Sequence, residues 1–384
     1  MKKLVLAILI MFMLPLNIHA SGIKANNDNL EENTKVEQLY DYIVNMKTDY
    51  EVLKDLNAKE YVKEFMKTGD GKFSMSKLSK AIISYSFREG AAILKSMSIL
   101  IIIAIVCALI NNLQKAFKSE DISNIAYFAC YALIIMILSK SFYNAVSVAR
   151  ETIFKTSDFM TALIPVLMML LASVGGFTEA AVMDPIIIAA ININVKIYTN
   201  IIIPLIFMSF VMQFVNNISS EFKIDKLTKL INQVALWTQG IMVTIFIGIV
   251  TIRGITSKTI DQVTVKTAKY AVDNFIPVVG KALSDAIASV AGYSLLLKNA
   301  LSGLGLVVIV IIAIYPVIKI LLMSFMFKLT AALIEPISDS KIVNCISSAG
   351  NSLTLVMSCV ISTSVMFFIM VSIIASAGKM AVGG

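Results

Sequence analysis

Histidine is almost missing from this chain of 384 residues; the one copy is His19, close to the start. If the first twenty residues are removed as a signal, the mature chain has none. That excludes Ser-His-Asp and Cys-His nucleophilic catalysis and every zinc site that needs an imidazole. Charge is also scarce, at 15% Asp, Glu, Lys and Arg against about 25% in a typical soluble domain. One large soluble globule with so little charge would leave too much apolar surface in water. The four cysteines, Cys107, Cys130, Cys345 and Cys359, form no C-x-x-C pair, which argues against a redox motif or a disulfide framework and for small buried hydrophobes. A nucleotide loop is missing too. Gly280-Lys281 lacks a glycine at Phe275 and a Ser or Thr at Ala282, so it is not a P-loop.

What is present is apolar: 58% of the residues are hydrophobic, which fits an integral membrane protein and excludes a disordered tail. The charges divide the chain. Residues 1–20 carry only Lys2 and Lys3, residues 21–90 carry 11 basic and 12 acidic groups, and residues 91–384 carry 20 basic and 13 acidic groups. The net +8 therefore belongs to the signal and membrane parts. It suits lipid headgroups rather than nucleic acid, which would call for a basic, aromatic-studded polar domain.

Met1-Lys2-Lys3, the apolar run Leu4–Leu14, Pro15 and small Ala20 read as a signal peptide over 1–20. A retained first helix is the competing reading, disfavoured because the run is short for a span of about 20 residues. Either way residues 21–90 are expected on the extracytoplasmic side. There Val36, Leu39, Tyr40, Ile43 and Met46, and later Tyr61, Val62 and Phe65, recur at helical spacing between charges. A small amphipathic-helical domain results, too small to bury much core alone, and expected to dock on the membrane domain or a partner.

From residue 91 onward, about six apolar stretches are long enough to span, grouped as three hairpins near 93–146, 197–252 and 304–377. The first two hairpin loops match: Asn111-Asn112 and Phe117-Lys118 recur as Asn216-Asn217 and Phe222-Lys223. Ile164-Pro165-Val166 recurs as Ile276-Pro277-Val278, Pro204 as Pro316, and Met208-Ser209-Phe210 as Met323-Ser324-Phe325. Each match is short, but together they indicate internal duplication. Parallel copies put the three tight loops on one side of the membrane. The connecting stretches, around Phe159–Lys196 and Lys258–Leu301, must then return to the side they left, as re-entrant or interfacial segments. The fold expected is an all-α polytopic membrane bundle with two such segments, preceded by the polar helical domain.

Ionisable and amide groups within apolar stretches are the candidate pathway residues: Lys319, Asp184, Glu335, Lys196 and Asn192. Lys140 and Lys328 are placed to snorkel to the headgroups. Asp184-Pro185 and Glu335-Pro336 could instead punctuate helices. Asn192, Asn194, Gln213, Asn216 and Asn217 could line a water path or bond between helices. Around Asp261–Leu297, Phe275, Pro277 and Gly280 precede a small-residue seam of Ser284, Ala288 and Gly292, a candidate packing or assembly segment. No catalytic, cofactor or metal-ligating constellation is legible.

The run from Asp273 through Phe275-Ile276-Pro277-Val278-Val279-Gly280-Lys281 to Ala286, followed by Ser294–Asn299, resembles the stage III sporulation protein AE family of endospore-forming bacteria. The Leu109–Phe117 loop and the signal-plus-polar-domain layout resemble it as well. The resemblance covers roughly Phe87 to the C-terminus. It implies a non-enzymatic subunit made in the mother cell and lodged in the membrane around the forespore. Its implied partners are other stage III sporulation membrane proteins and a cytoplasmic ATPase, in a channel or secretion complex joining the two cells. A different class also fits the residues: a self-sufficient secondary transporter using Lys319, Asp184 and Glu335.

Overall fold

The computed structural model describes residues 34–46, 57–69, 75–117, 120–174, 177–218, 224–275 and 280–377. Those residues are helical with short turns and contain no strand. In chain order the helices are α1 (Thr34–Met46), α2 (Ala58–Thr68), α3 (Met75–Phe117), α4 (Glu120–Ser173), α5 (Phe177–Ile197), α6 (Ile203–Ile218), α7 (Asp225–Phe275), α8 (Gly280–Ile334) and α9 (Ser340–Ser376). The expected signal segment, residues 1–20, lies outside the described residues.

Local chemistry sets several of the ends. The Asn57 side chain accepts from the Glu60 N–H at 3.2 Å to start α2, and Gly69, at φ 76°, closes it in the left-handed region, donating its N–H to Phe65 O. Asp339 caps the start of α9 by accepting from the Lys341 N–H at 2.9 Å. Between α5 and α6 the helix does not break. It widens into a π turn, Tyr198–Ile202, in which the Ile203 N–H reaches Tyr198 O. Pro204 follows at once. Its ring would crowd the carbonyl four residues earlier, and the widened turn makes room for it.

Six helices hold spans long and apolar enough to cross a bilayer: Leu78–Ile110, Phe128–Ser173, Pro185–Val215, Asp225–Ile252, Ala291–Ile334 and Ser340–Ser376. The hairpins are those the sequence suggests. α3 meets α4, α6 meets α7, and α8 meets α9, the last pair joined by a turn over residues 335–339. The stretch Phe159–Lys196 takes the form of a helical hairpin, since α4 runs on to Ser173 and α5 returns from Phe177. Its counterpart is built the same way from the end of α7 and the start of α8. α4, with 54 residues, is about 80 Å long at 1.5 Å per residue, far more than a hydrocarbon core of about 30 Å.

Exposure shows where the bilayer sits. Exposed large apolar side chains run along α3 from Ile83 to Leu109, α4 from Phe128 to Phe154, α5–α6 from Ile193 to Val215, α7 from Leu227 to Ile252, and α8 from Leu321 to Leu333. Beyond that belt, equally apolar residues such as Leu163, Leu167 and Leu171 of α4 and Leu304, Val308 and Ile312 of α8 are buried by protein. The bundle therefore continues beyond the exposed belt as a part whose apolar side chains are covered by protein.

α1 and α2 dock on that continuation. Val36, Leu39, Ile43, Val62 and Phe65 are buried in the same core as the long helices. Tyr42 approaches Phe159 of α4 (ring centroids 6.2 Å apart), and Tyr61 lies against Gly303 of α8. Lys59 bridges to Glu37 at 2.8 Å, tying α2 to α1. α3 begins at Met75 and runs unbroken to Phe117, so residue 90, the expected edge of the polar domain, falls inside one helix. Within the membrane, α4 meets α6 through stacked Phe142 and Phe210 (centroids 3.8 Å). α9 is the central helix, packed by α4, α6, α7 and α8.

Candidate functional site

The buried polar groups of the bundle gather on three features of α8 and α9. The first is Lys298. It sits in the run Leu295-Leu296-Leu297-Lys298, fully buried, and its ammonium donates to Ile374 O at 3.1 Å, Ala375 O at 3.3 Å and Ala377 O. These carbonyls lie at the C-terminal end of α9, where Ile374 O also accepts from the Ala377 N–H at 3.1 Å; the end of a helix leaves carbonyls short of donors and carries the negative end of its dipole. Lys298 thus serves as a C-terminal cap delivered from the neighbouring helix.

The second feature is an ion pair. Lys319 Nζ of α8 lies 3.2 Å from Glu89 Oε2 of α3, both half-buried. One turn earlier on each helix, Tyr85 and Tyr315 meet edge to face at 4.6 Å. The pair sits between exposed Phe87 and Leu94 of α3, within the apolar belt.

The third is a seam of hydroxyls and amides around α9. Ser324 of α8 donates to Gly350 O at 2.7 Å and lies 2.9 Å from the Thr354 hydroxyl. Ser352 donates to Gln213 Oε1 of α6 at 3.3 Å, and Ser358 to Gln239 Oε1 of α7 at 3.0 Å. Asn194 of α5 donates to Met366 Sδ at 3.1 Å. The duplication is visible here. Ser209, the copy of Ser324, donates to Thr228 O of the next helix, as Ser324 does to Gly350 O.

The five pathway candidates are not brought together. Lys319 pairs with Glu89. Lys196 and Asn192 are exposed on one face of α5, and Asn192 donates back to Ile188 O of its own helix at 2.9 Å. Asn194, two residues on and about 200° around the helix, is the buried one. Glu335 is exposed in the α8–α9 turn rather than within a span. Asp184 lies on α5, its side chain outside the described residues. So are the side chains of Phe275, Gly280, Ser284 and Ala288, and all of Pro277; Gly292 is described and buried. Lys140 and Lys328 are exposed, the latter with its stem against Gly350, as snorkelling requires.

In the sequence Lys298 stands out only as part of the Ser294–Asn299 motif, and Glu89 not at all. A lysine in an apolar helical run was the available signal for the first. Nothing local marks Glu89, whose partner is far along the chain. The four cysteines are unbridged, three of them buried. Among the described residues no three His, Cys, Asp or Glu side chains converge as a metal site would require.

A family model described as stage III sporulation protein AE matches residues 56–378. The chain is also similar to the stage III sporulation protein AE of Bacillus subtilis (strain 168), 32% identical over 362 residues that cover 94% of this chain and 90% of the relative. No solved structure matches it.

Proposed function

We propose that this chain, which belongs to the stage III sporulation protein AE family, is a non-enzymatic core subunit of the membrane complex that joins mother cell and forespore. It is a multi-pass membrane protein with a role in sporulation; the complex, its location and the absence of catalysis are our reading. In that reading residues 21–90 and the bundle beyond the belt face the space between the two membranes. The tight turns face the mother-cell cytoplasm, where the complex's ATPase is. Other stage III membrane proteins contact the subunit within the bilayer or on the projecting bundle.

The observation that carries this is how the buried charges are used. Lys298 holds the end of α9 and Lys319 holds α3 to α8, so both fix the scaffold. The transporter alternative wanted Lys319, Asp184 and Glu335 as coupling groups, and the exposed turn position of Glu335 gives it no support. The test is isolation of an affinity-tagged chain from sporulating cells in mild detergent. The reading expects the ATPase and membrane partners to co-isolate, and deletion of the gene to abolish heat-resistant spores. A chain that isolates alone from a strain whose deletion still sporulates contradicts it.

A further inference from the structure

Five of the six spans present large apolar side chains outward, as lipid demands, and α9 does not. Its exposed residues are Ser340, Asn344, Asn351 and Ser376, all polar. Between them the half-exposed Ser347, Thr354, Ser358 and Ser362 continue the same face at helical spacing. An accessible membrane-helix face of hydroxyls and amides is a poor match to hydrocarbon, which offers them no partners.

A second observation points into this face from across the gap. Gln239 of α7, only 4% exposed, accepts from Ser358 at 3.0 Å and Ser362 at 3.5 Å through Oε1, while its Nε2 is buried with no hydrogen-bond partner. A buried amide donor left dry costs about 1–3 kcal/mol, and water is the ordinary remedy in a polar recess. α7 forms one wall through Gln239, and α8 the other through Ser324, which touches Thr354. Above Ser362 the same face turns apolar at Val365, Phe368 and Ile369.

We propose that the face of α9 from Asn344 to Ser362 lines a water-filled crevice within the membrane, open at the tight-turn side and closed above by Val365 and Phe368. The described residues that line it, Gln239, Ser324, Thr354, Ser358 and Ser362, are polar and uncharged, so it takes water and small neutral polar solutes. The proposal rests on the core-subunit reading above and deepens it by making this chain a conduit whose path α9 would line.

Thiol labelling of the full chain in permeabilised native membranes tests it, with Cys107, Cys130, Cys345 and Cys359 replaced by alanine. Single cysteines are placed by Ser358→Cys and Ser362→Cys in the crevice and by Ile241→Cys and Ile245→Cys on the lipid face of α7. A water-soluble trimethylammonium methanethiosulfonate is the probe. Thiols react as thiolates, which form in water and not in lipid, so the two crevice positions are expected to label at least about tenfold faster than the α7 pair. Equal rates overturn the proposal. Should Ser362→Cys fail to accumulate in the membrane, Thr354→Cys takes its place on the same terms. Spore titre separates this inference from the function beneath it. Ser358→Leu with Ser362→Leu, in a chain still present in the membrane, is expected to abolish sporulation. Fast labelling with normal spore titre keeps the crevice and removes the conduit.

Discussion

Lys298 brings a full positive charge to the carbonyl end of α9, and its worth can be measured. Lys298→Met keeps the apolar stem but takes the ammonium from three carbonyls, of which Ile374 O alone keeps the Ala377 N–H. A buried acceptor left unpaired costs about 1–3 kcal/mol, so a lower unfolding midpoint in detergent is expected, with α8–α9 cross-linking weakened. An unchanged midpoint would mean that water replaces the lysine. At Gly350 the packing of α8 on α9 is close. A Cβ there would lie 3.0 Å from Lys328 Cγ and 3.1 Å from Ser324 O. Gly350→Ala is therefore expected to push α8 off α9, stretch the Ser324–Gly350 bond and destabilise the chain by about 1–3 kcal/mol, read as a fall in the same midpoint. The sequence marked Ser324 through its repeat, and could not mark Lys298, whose partners lie more than seventy residues away. Asn192 and Lys196 show the other limit. The apolar run surrounding them hides which way each residue faces, and a shift of two positions separates the exposed Asn192 from the buried Asn194.

Among the helices, the ion pair between α3 and α8 makes a reciprocal prediction. Glu89→Gln or Lys319→Met alone is expected to loosen α3, and Glu89→Lys with Lys319→Glu to restore it. The coupling should be about 0.5–2 kcal/mol, at the low end if water reaches the half-exposed pair. A double-mutant cycle on unfolding midpoints gives the value, and zero coupling would show the pair to be idle. α1 and α2 dock through tyrosines whose burial raises their pKa, Tyr61 to about 12 and Tyr40 further. These phenols are neutral when docked, so their contribution is fully present below the ordinary value near 10 and is lost as pH rises through the raised one. Protease release of the N-terminal helices is expected to increase above about pH 10 and stay flat between pH 6 and 9. The hairpins, the six spans and the amphipathic helices were legible because spacing and length encode them directly. The length of α4, α7 and α8 was not, because an apolar run looks the same whether lipid or protein covers it; Pro165 and Pro316 both lie inside continuous helices.

At the scale of the whole molecule, the long antiparallel helices leave one arrangement. On the proposed reading, the junctions α3–α4, α6–α7 and α8–α9 share one side of the membrane, and the docked α1 and α2 lie on the other. The lipid belt, the crevice of α9 and the subunit's place in a sporulation complex all depend on that parity. Accessibility of single cysteines at Ser119, between α3 and α4 in the sequence, and at Lys258, in the C-terminal half of α7, measures it most directly in a chain lacking its four native cysteines. An impermeant thiol reagent applied to intact cells and to inside-out vesicles is expected to reach the two positions from opposite faces, Lys258→Cys from outside and Ser119→Cys from the cytoplasm. Labelling of both from the same face would contradict the account.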